Sequence, residues 1–216
     1  MKLLRPIAQM VRLQPKGPVQ SRYLKALHSD LKPLVVATGP AGSGKTLFAC
    51  QAAAESLAGG KFSKMILTRP IVSVDEELGF LPGNIDEKMD PWTRPMFDIL
   101  EKYYSKSQIT HMVKSKTIEI APLAYMRGRT FEDCFIIGDE MQNTTCNQMK
   151  MMLTRLGENS KMVITGDADQ CDVPESGLVD LIHRMSEREL EYLDHIVLSD
   201  EDIQRHPAVK EILGMY

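Results

Sequence analysis

The sequence lacks the features that direct a chain to a membrane or give it an overall basic surface. Its apolar runs fall far short of the about 20 residues that a transmembrane helix needs, and its first residues have no apolar stretch typical of a secretory signal. Acidic residues outnumber Lys and Arg by 29 to 26, for a net charge of −3. We therefore expect a cytoplasmic protein with no membrane partner. Any nucleic acid would have to bind to a local basic patch on its surface.

Cysteine is sparse as well, and its spacing does not suggest a metal centre. The four cysteines, Cys50, Cys134, Cys146 and Cys171, form no C-x-x-C pair, and no histidine lies at ligand spacing from them. This argues against a structural zinc site and favours a reduced compartment. Methionine, by contrast, is abundant at 14 residues, and we interpret it mainly as adaptable core filler rather than as a recognition surface.

The chain of 216 residues is long enough for one α/β domain with a full core. Short apolar segments predict strands at 34–38, 64–68, 117–121, 134–138, 161–165 and 194–198. Helices are predicted between them, at 19–29, 46–57, 92–104, 145–156, 177–185 and 208–215. Alternation of this kind predicts a mainly parallel sheet with helices on both faces. We expect residues 1–18 to form an amino-terminal arm, 19–216 to form the domain, and 70–91 to be a long functional loop.

A glycine-rich segment follows the first predicted strand and fits the pattern G-x-x-x-x-G-K-[ST]. It consists of Gly39, Pro40, Ala41, Gly42, Ser43, Gly44, Lys45 and Thr46. Such a loop between a strand and a helix turns its backbone N–H groups toward a phosphate, aided by the helix dipole. In this pattern Lys45 reaches the β- and γ-phosphates and Thr46 ligates Mg²⁺. A mere glycine-rich turn is the alternative, but the pattern arises by chance in roughly one chain of this length in a hundred.

Two more apolar strands are predicted to end in polar groups at the same edge of the sheet, where α/β proteins bind ligands. Asp139 and Glu140 follow residues 134–138, and we expect Asp139 to hold Mg²⁺ and Glu140 to act as general base. Gln170 follows residues 161–165 and is a candidate to contact the γ-phosphate or orient the attacking water. A turn with capping residues is the alternative interpretation of the segment around Gln170.

Several long phrases of the sequence resemble the PhoH-like ATPases. They are GPAGSGKT, ILTRPIVSVDEELGFLPG, EIAPLAYMRGRTFEDCFIIGDEMQNTT, MLTRLGENSKMVITGD and DIQRHP, and together they extend from about Gly17 to the carboxyl terminus. The resemblance implies one RecA-like domain related to superfamily-1 helicase motors. It also implies ATP and Mg²⁺ as cofactors, RNA or single-stranded DNA as a partner, and assembly into a ring, possibly a hexamer.

The resemblance also assigns roles to single residues. It implies that Gln20 reads the adenine edge, that Arg69 and the loop at 76–83 face nucleic acid, and that Gln142 completes a D-E-x-Q motif. Arg127 and Arg129, which precede the magnesium strand, are further nucleic-acid candidates.

Arg205 is expected to act in catalysis from a neighbouring subunit. It matches a late arginine of the family, and this length has no room for the second motor domain that supplies an arginine in superfamily-1 motors. A structural role at the start of the last helix, near Pro207, is the alternative.

Three hypotheses of function follow from these residues. The first is an oligomeric ATPase that remodels or translocates on RNA or single-stranded DNA. The second is a nucleotide-gated assembly switch that does not bind nucleic acid, which the near-neutral net charge keeps open. A small-molecule kinase is the third, disfavoured by the pair Asp139 and Glu140 together with Gln142.

Overall fold

The computed structural model describes residues 12–70, 85–203, 208 and 215, with side chains for all of these except 85–92. Six parallel strands form one sheet in the order β3-β2-β4-β5-β1-β6. Their bounds are β1 Leu34–Thr38, β2 Lys64–Thr68, β3 Ile118–Ile120, β4 Cys134–Gly138, β5 Lys161–Gly166 and β6 Leu193–Val197. The predicted α/β fold with a mainly parallel sheet is thereby confirmed.

Helices cover both faces of this sheet. They are α1 Pro18–His28, α2 Lys45–Ala58, α3 Ile85–Leu100, α4 Lys106–Lys114, α5 Cys146–Leu153 and α6 Gly177–Ser186. One core cluster packs α1 to α4 on the first face, and a second packs α5 and α6 on the other. Successive side chains of β1 alternate between the two, with Val35 in the first cluster and Val36 in the second. A strand buried on both faces is therefore apolar at every position.

Two helices differ from the prediction. Helix α3 begins at Ile85, although residues up to Pro91 were expected to form a loop. Apolar residues at 85, 89, 92 and 96 continue the helical spacing across Pro91, and this periodicity outweighs the lost N–H group. Helix α4 was not predicted, and its signal is the capping box in which Ser105 and Gln108 bond each other's backbone.

The ends of the chain are described only in part. Within the predicted arm, the backbone of Leu13 hydrogen-bonds the side chain of Gln51 on α2, and the Lys16 N–H donates to Gln20 Oε1 at 2.8 Å. These residues therefore pack against the domain, and the boundary at 18 stays a prediction. Residues 209–214 of the predicted helix at 208–215, and residues 71–84 of the predicted loop, lie outside the described residues. Among the residues that the structure describes, no helix is long and apolar enough to cross a membrane.

A buried lysine fixes the end of α1 to the sheet. Lys161, the first residue of β5, donates from Nζ to the carbonyl oxygens of Ala26, Ser29 and Lys32 at 2.6, 2.8 and 3.0 Å. Burial lowers the pKa of Lys161 to about 8, so the ammonium is still protonated at neutral pH and donates to all three. A cation at this place also complements the helix dipole. One side chain thus joins three carbonyls around the end of α1, and the Ala26 carbonyl also accepts the Ser29 N–H.

We expect Lys161→Met to lower the free energy of unfolding by about 1–3 kcal/mol, because the part-buried carbonyls of Ser29 and Lys32 lose the donor that Lys161 supplies. The matched control is Lys64→Met, which changes an exposed lysine at the first position of β2 and should stay within about 0.5 kcal/mol of the parent. Urea denaturation of the three proteins measures both effects. Equal stability of the two variants would contradict the role given to Lys161.

Candidate nucleotide site

The sheet topology places the carboxyl ends of β1, β5, β4 and β2 side by side. The glycine-rich loop follows β1, and Asp167 comes directly after β5. Asp139 and Glu140 follow β4, and Arg69 follows β2. Residues far apart in the sequence are therefore neighbours at one edge, where open α/β sheets form ligand sites.

The loop from Gly39 to Thr46 has the backbone that an anion cradle requires. Gly39, Gly42 and Gly44 have φ values of 140°, 88° and 95°, which glycine adopts without strain. A Cβ atom at Gly39 would also lie 2.3 Å from the carbonyl oxygen of Leu198. Gly44 is the N-cap of α2, so the loop leads directly into the N-terminus of a 14-residue helix.

The lysine of the loop is held by the loop itself. Lys45 Nζ donates to the carbonyl oxygens of Gly39 and Pro40 at 2.6 and 2.9 Å, and the residue is 9% exposed. Behind it, the hydroxyl of buried Tyr23 donates to the Lys45 carbonyl at 3.0 Å and ties α1 to the first turn of α2. The ammonium therefore lies over the loop, where a phosphate can replace the two carbonyls as its acceptor.

A single carboxylate joins three elements of the site. Asp139 Oδ1 accepts hydrogen bonds from Thr46 Oγ1 and Thr165 Oγ1, each at 2.6 Å, and the residue is 3% exposed. Burial raises the pKa of Asp139, while the two hydroxyl donors oppose that rise; nearby Glu140 adds to it and Arg69 counters it. The site therefore combines a buried carboxylate and a hydroxyl, both oxygen ligands that suit a hard divalent cation.

Glu140 leaves the strand in a different direction from Asp139. Its backbone is in the left-handed region, with φ 54° and ψ 38°, which is uncommon for a residue other than glycine. Gln142 Nε2 donates to Glu140 Oε2 at 2.7 Å, and Gln142 Oε1 accepts the Asp167 N–H at 3.2 Å. Gln142 thus links Glu140 to the end of β5 and holds the carboxylate in place.

Arg69 lies over both acidic residues. Its guanidinium is 3.8 Å from Asp139 Oδ2 and 3.9 Å from Glu140 Oε1, and its side chain is 26% exposed. The resemblance had suggested a nucleic-acid contact for this arginine. The structure places it beside the predicted magnesium and base residues, where it also counters the two negative charges, and its contact with nucleic acid stays a prediction.

A family model described as "PhoH-like protein" matches residues 12–216. This chain belongs to the PhoH-like family. A PhoH-like protein of Bacillus subtilis is 44% identical over 209 residues, which cover 95% of this chain and 64% of that relative. Protein PhoH of Escherichia coli K12 is 47% identical over 206 residues, which cover 93% of this chain and 57% of that protein. The chain therefore spans less than two thirds of the length of these relatives.

Solved structures show only distant likeness to this PhoH-like chain. The SWI2/SNF2 ATPase core of Sulfolobus solfataricus, solved in complex with double-stranded DNA, aligns with a TM-score of 0.48 at 11% identity, covering 94% of this chain and 48% of that one. The Pif1 helicase of Candida albicans aligns with a TM-score of 0.47 at 15% identity, and the alignment covers 94% of this chain and 43% of that one.

Gln20 lies behind the phosphate loop. It is 2% exposed, and its Nε2 donates to the carbonyl oxygens of Ser43 and Asp202 at 3.1 and 3.0 Å. The Lys16 N–H donates to its Oε1. The amide therefore connects α1, the loop and the segment after β6, and its reading of adenine stays a prediction.

The other predicted residues are spread more widely. Gln170 is exposed in the turn after β5, where its N–H donates to the Asp167 carbonyl. In the described part of the chain it is Gln142, rather than Gln170, whose side chain hydrogen-bonds Glu140. Gln142 had been recognised only through the family motif, because its link to Asp167 depends on how the strands are ordered. Arg205 lies outside the described residues.

The two arginines of the YMRGRTF segment have different surroundings. Arg127 is exposed and makes no ion pair with any residue that the structure describes. Arg129 instead donates to Glu119 on β3 at 2.6 Å and stacks on the ring of Phe131, 4.5 Å from its centroid. Phe131 lies just before the amino end of β4, so Arg129 is away from the carboxyl edge of the sheet.

No group of three or more His, Cys, Asp or Glu side chains within the described ranges could hold a metal ion on its own. Mg²⁺ in nucleotide sites usually has one or two protein ligands and takes the rest from phosphates and water. Thr46 and Asp139, already joined by a hydrogen bond beside the loop, fit that donor set.

Gly39→Ala should destabilise the fold more than Gly128→Ala, by about 1–3 kcal/mol. Both glycines have positive φ, so both variants pay for an unfavourable backbone. Only at position 39 would the new methyl group meet the backbone of Leu198, whereas nothing lies within 4 Å of the corresponding point at Gly128. Guanidinium denaturation measures the difference, and equal losses would show that the loop can move away from Leu198.

Proposed function

We propose that this PhoH-like chain binds ATP with Mg²⁺ and hydrolyses it. The observation that carries the proposal is the direct bond between Thr46 of the phosphate loop and buried Asp139, with Glu140 as the next residue. A loop, a metal-binding pair and a base at one sheet edge are the parts that phosphoryl transfer to water requires. Adenine as the base is supported by Gln20 beside the loop, through the family resemblance.

Each side chain has a defined task in this proposal. The loop N–H groups and Lys45 bind the β- and γ-phosphates, while Thr46 and Asp139 provide the protein ligands of Mg²⁺. When bound, Mg²⁺ would neutralise charge on the phosphates. Glu140 accepts a proton from the attacking water, and Gln142 keeps its carboxylate in position. Arg69, close to both acids, is placed to counter negative charge at the γ-phosphate.

Glu140→Gln should keep affinity for ATP and Mg²⁺ but lower the turnover number by about 10²–10⁴-fold, because it loses the base and keeps the shape. Asp139→Asn should instead raise the Mg²⁺ concentration needed for half-maximal nucleotide binding. Lys45→Ala is the reference variant that loses nucleotide affinity or turnover altogether. Steady-state hydrolysis and titration with a fluorescent nucleotide separate the two effects.

The division of roles fails if Glu140→Gln and Asp139→Asn give the same profile in both assays. Turnover at the parent's rate in Lys45→Ala would refute the assignment of the loop itself. A phosphorylated small molecule in place of free phosphate would instead favour the kinase hypothesis.

We further propose that the hydrolysis serves an action on RNA or single-stranded DNA, as the resemblance to helicase-like motors implies. The exposed and unpaired guanidinium of Arg127 supports this within the described structure. The nucleotide-gated assembly switch remains the second candidate, since the net charge of −3 provides no general attraction for a polyanion. Hydrolysis measured with and without RNA distinguishes them, because only the first predicts stimulation.

Arg127→Gln should weaken binding to single-stranded RNA and shallow its salt dependence by about 0.7 units of slope, the effect of losing one phosphate contact. Arg129→Gln is the matched comparison in the same segment. Since Arg129 is already bound to Glu119 and stacked on Phe131, we expect it to leave the slope unchanged and to lower thermal stability. An unchanged slope for Arg127→Gln would remove this support and favour the assembly switch.

A ring of subunits with Arg205 acting in trans is part of the same proposal, and its support is the family resemblance. Head-to-tail contacts that close into a ring place a surface of one subunit against the nucleotide edge of the next. Sedimentation velocity with and without ATP distinguishes such a ring from a monomer.

A further inference from the structure

Two tyrosines of the described residues, Tyr125 and Tyr192, are exposed at the surface, whereas the other described tyrosines lie in the core. Tyr23, Tyr103 and Tyr104 are buried, and each donates its hydroxyl to a protein acceptor at 2.9–3.0 Å. Tyr125 is 60% exposed, and its hydroxyl makes no hydrogen bond with any residue of the described structure. The ring therefore contributes little to the core that its neighbours build.

The backbone that carries Tyr125 is fixed. Leu123 and Met126, on either side of it, are 6% and 0% exposed and belong to the second core cluster. Between them the Tyr125 N–H donates to the Pro122 carbonyl at 2.9 Å, and the Met126 N–H donates to Leu123 at 3.1 Å. The short 3₁₀ turn is thus anchored at both ends. A fixed turn, and not a loose loop, therefore holds the ring outward.

The residues next to Tyr125 in the sequence are exposed and mostly small. Ala124, Arg127 and Gly128 are all exposed, and nothing lies within 4 Å of the point where a side chain would begin at Gly128. The exposed ring is thus flanked along the chain by small residues and by one cation that makes no ion pair with a described residue. A protein partner would favour a larger apolar patch around the ring, whereas a nucleobase needs only one exposed face and a nearby charge for the phosphate.

The turn also lies at the carboxyl edge of the sheet. It follows β3, and the Ala121 N–H donates to the Leu67 carbonyl of β2, the strand that leads to Arg69. β4, which leads to Asp139, is the next strand beyond β2. At about 4.8 Å per strand, the turn begins roughly 10 Å from the end of β4.

We propose that Tyr125 is a stacking platform for a base of single-stranded nucleic acid, with Arg127 beside it for the adjoining phosphate. The inference rests on the proposed function, because it gives the nucleic-acid half of that function a defined contact. RNA and single-stranded DNA share the chemistry of a base with an exposed face, and the experiment separates them.

The test compares three changes at Tyr125 with a matched exposed tyrosine. Tyr192 is 59% exposed but precedes β6, at the opposite edge of the sheet. The probes are labelled oligouridylate and oligodeoxythymidylate of equal length, with a duplex of the same length as a third probe. Binding is measured by fluorescence anisotropy over a range of salt concentrations, and thermal unfolding checks each variant.

Tyr125→Ala should bind single strands about 5- to 150-fold more weakly than the parent, the range for loss of one stacked base. The salt slope should not change, because no charge is removed. Tyr125→Phe should bind like the parent, Tyr125→Leu should bind as weakly as Tyr125→Ala, and Tyr192→Ala should have no effect. The probe with the larger loss identifies whether RNA or DNA is the ligand.

The proposal is overturned if Tyr125→Ala binds single strands like the parent or if Tyr125→Leu binds them as tightly as Tyr125→Phe. It is equally overturned if Tyr192→Ala loses as much affinity as Tyr125→Ala. It is also overturned if the parent binds neither single strand, or if Tyr125→Ala lowers the affinity for the duplex as much as the affinity for the single strands. Should Tyr125→Ala fail to fold, the comparison of Phe with Leu still decides. Hydrolysis of ATP by the parent without nucleic acid is measured in parallel, so that failure of this contact is distinguishable from failure of the proposed ATPase.

Discussion

The candidate site depends on the burial of the Asp139 carboxylate. A charge at 3% exposure is costly unless donors or cations compensate it, and here Thr46 and Thr165 each donate at 2.6 Å. These two donors belong to the first turn of α2 and the end of β5. The carboxylate therefore fixes the position of the phosphate loop relative to the two strands beside it. Its burial raises the pKa of Asp139, and the two hydroxyl donors oppose that rise.

The neighbouring acid has a different environment, and the backbone explains why. In an extended strand, successive side chains point to opposite faces, but the left-handed backbone of Glu140 ends the strand and starts the 3₁₀ turn Met141–Asn143. As a result, Asp139 is buried and hydrogen-bonded to Thr46 and Thr165. The Glu140 side chain, by contrast, is 37% exposed and is held by Gln142. Adjacent carboxylates are thus suited to different tasks, one to hold a cation and the other to accept a proton from water.

The sequence predicted most of the sheet because strands buried on both faces are apolar throughout. β1, β2 and β4 have the predicted bounds, β5 is one residue longer at its carboxyl end, and β3 and β6 differ by one residue at each end. Helix α4 was missed because its residues are mostly polar, and its capping box at Ser105 was not considered. The start of α3 was placed too late because Pro91 was taken as a stop.

The site divides in the same way between local and long-range information. The phosphate loop is local, since its glycines and Lys45 are contiguous in sequence. The link from Gln142 to Asp167 joins residues 25 apart, and it exists only because β5 lies next to β4. Arg127 and Arg129 have the same chemistry in sequence, and only the position of Glu119 on β3 makes one of them structural. Residue type could therefore suggest the two arginines but could not separate them.

Gln20 illustrates how the two kinds of information combine. Its amide is buried and fully engaged, with the Nε2 group donating to Ser43 in the loop and to Asp202 after β6. If Gln20 reads adenine, as the family resemblance implies, the base must replace at least one of these acceptors or share the amide with it. Nucleotide binding and the attachment of the segment after β6 then depend on the same side chain.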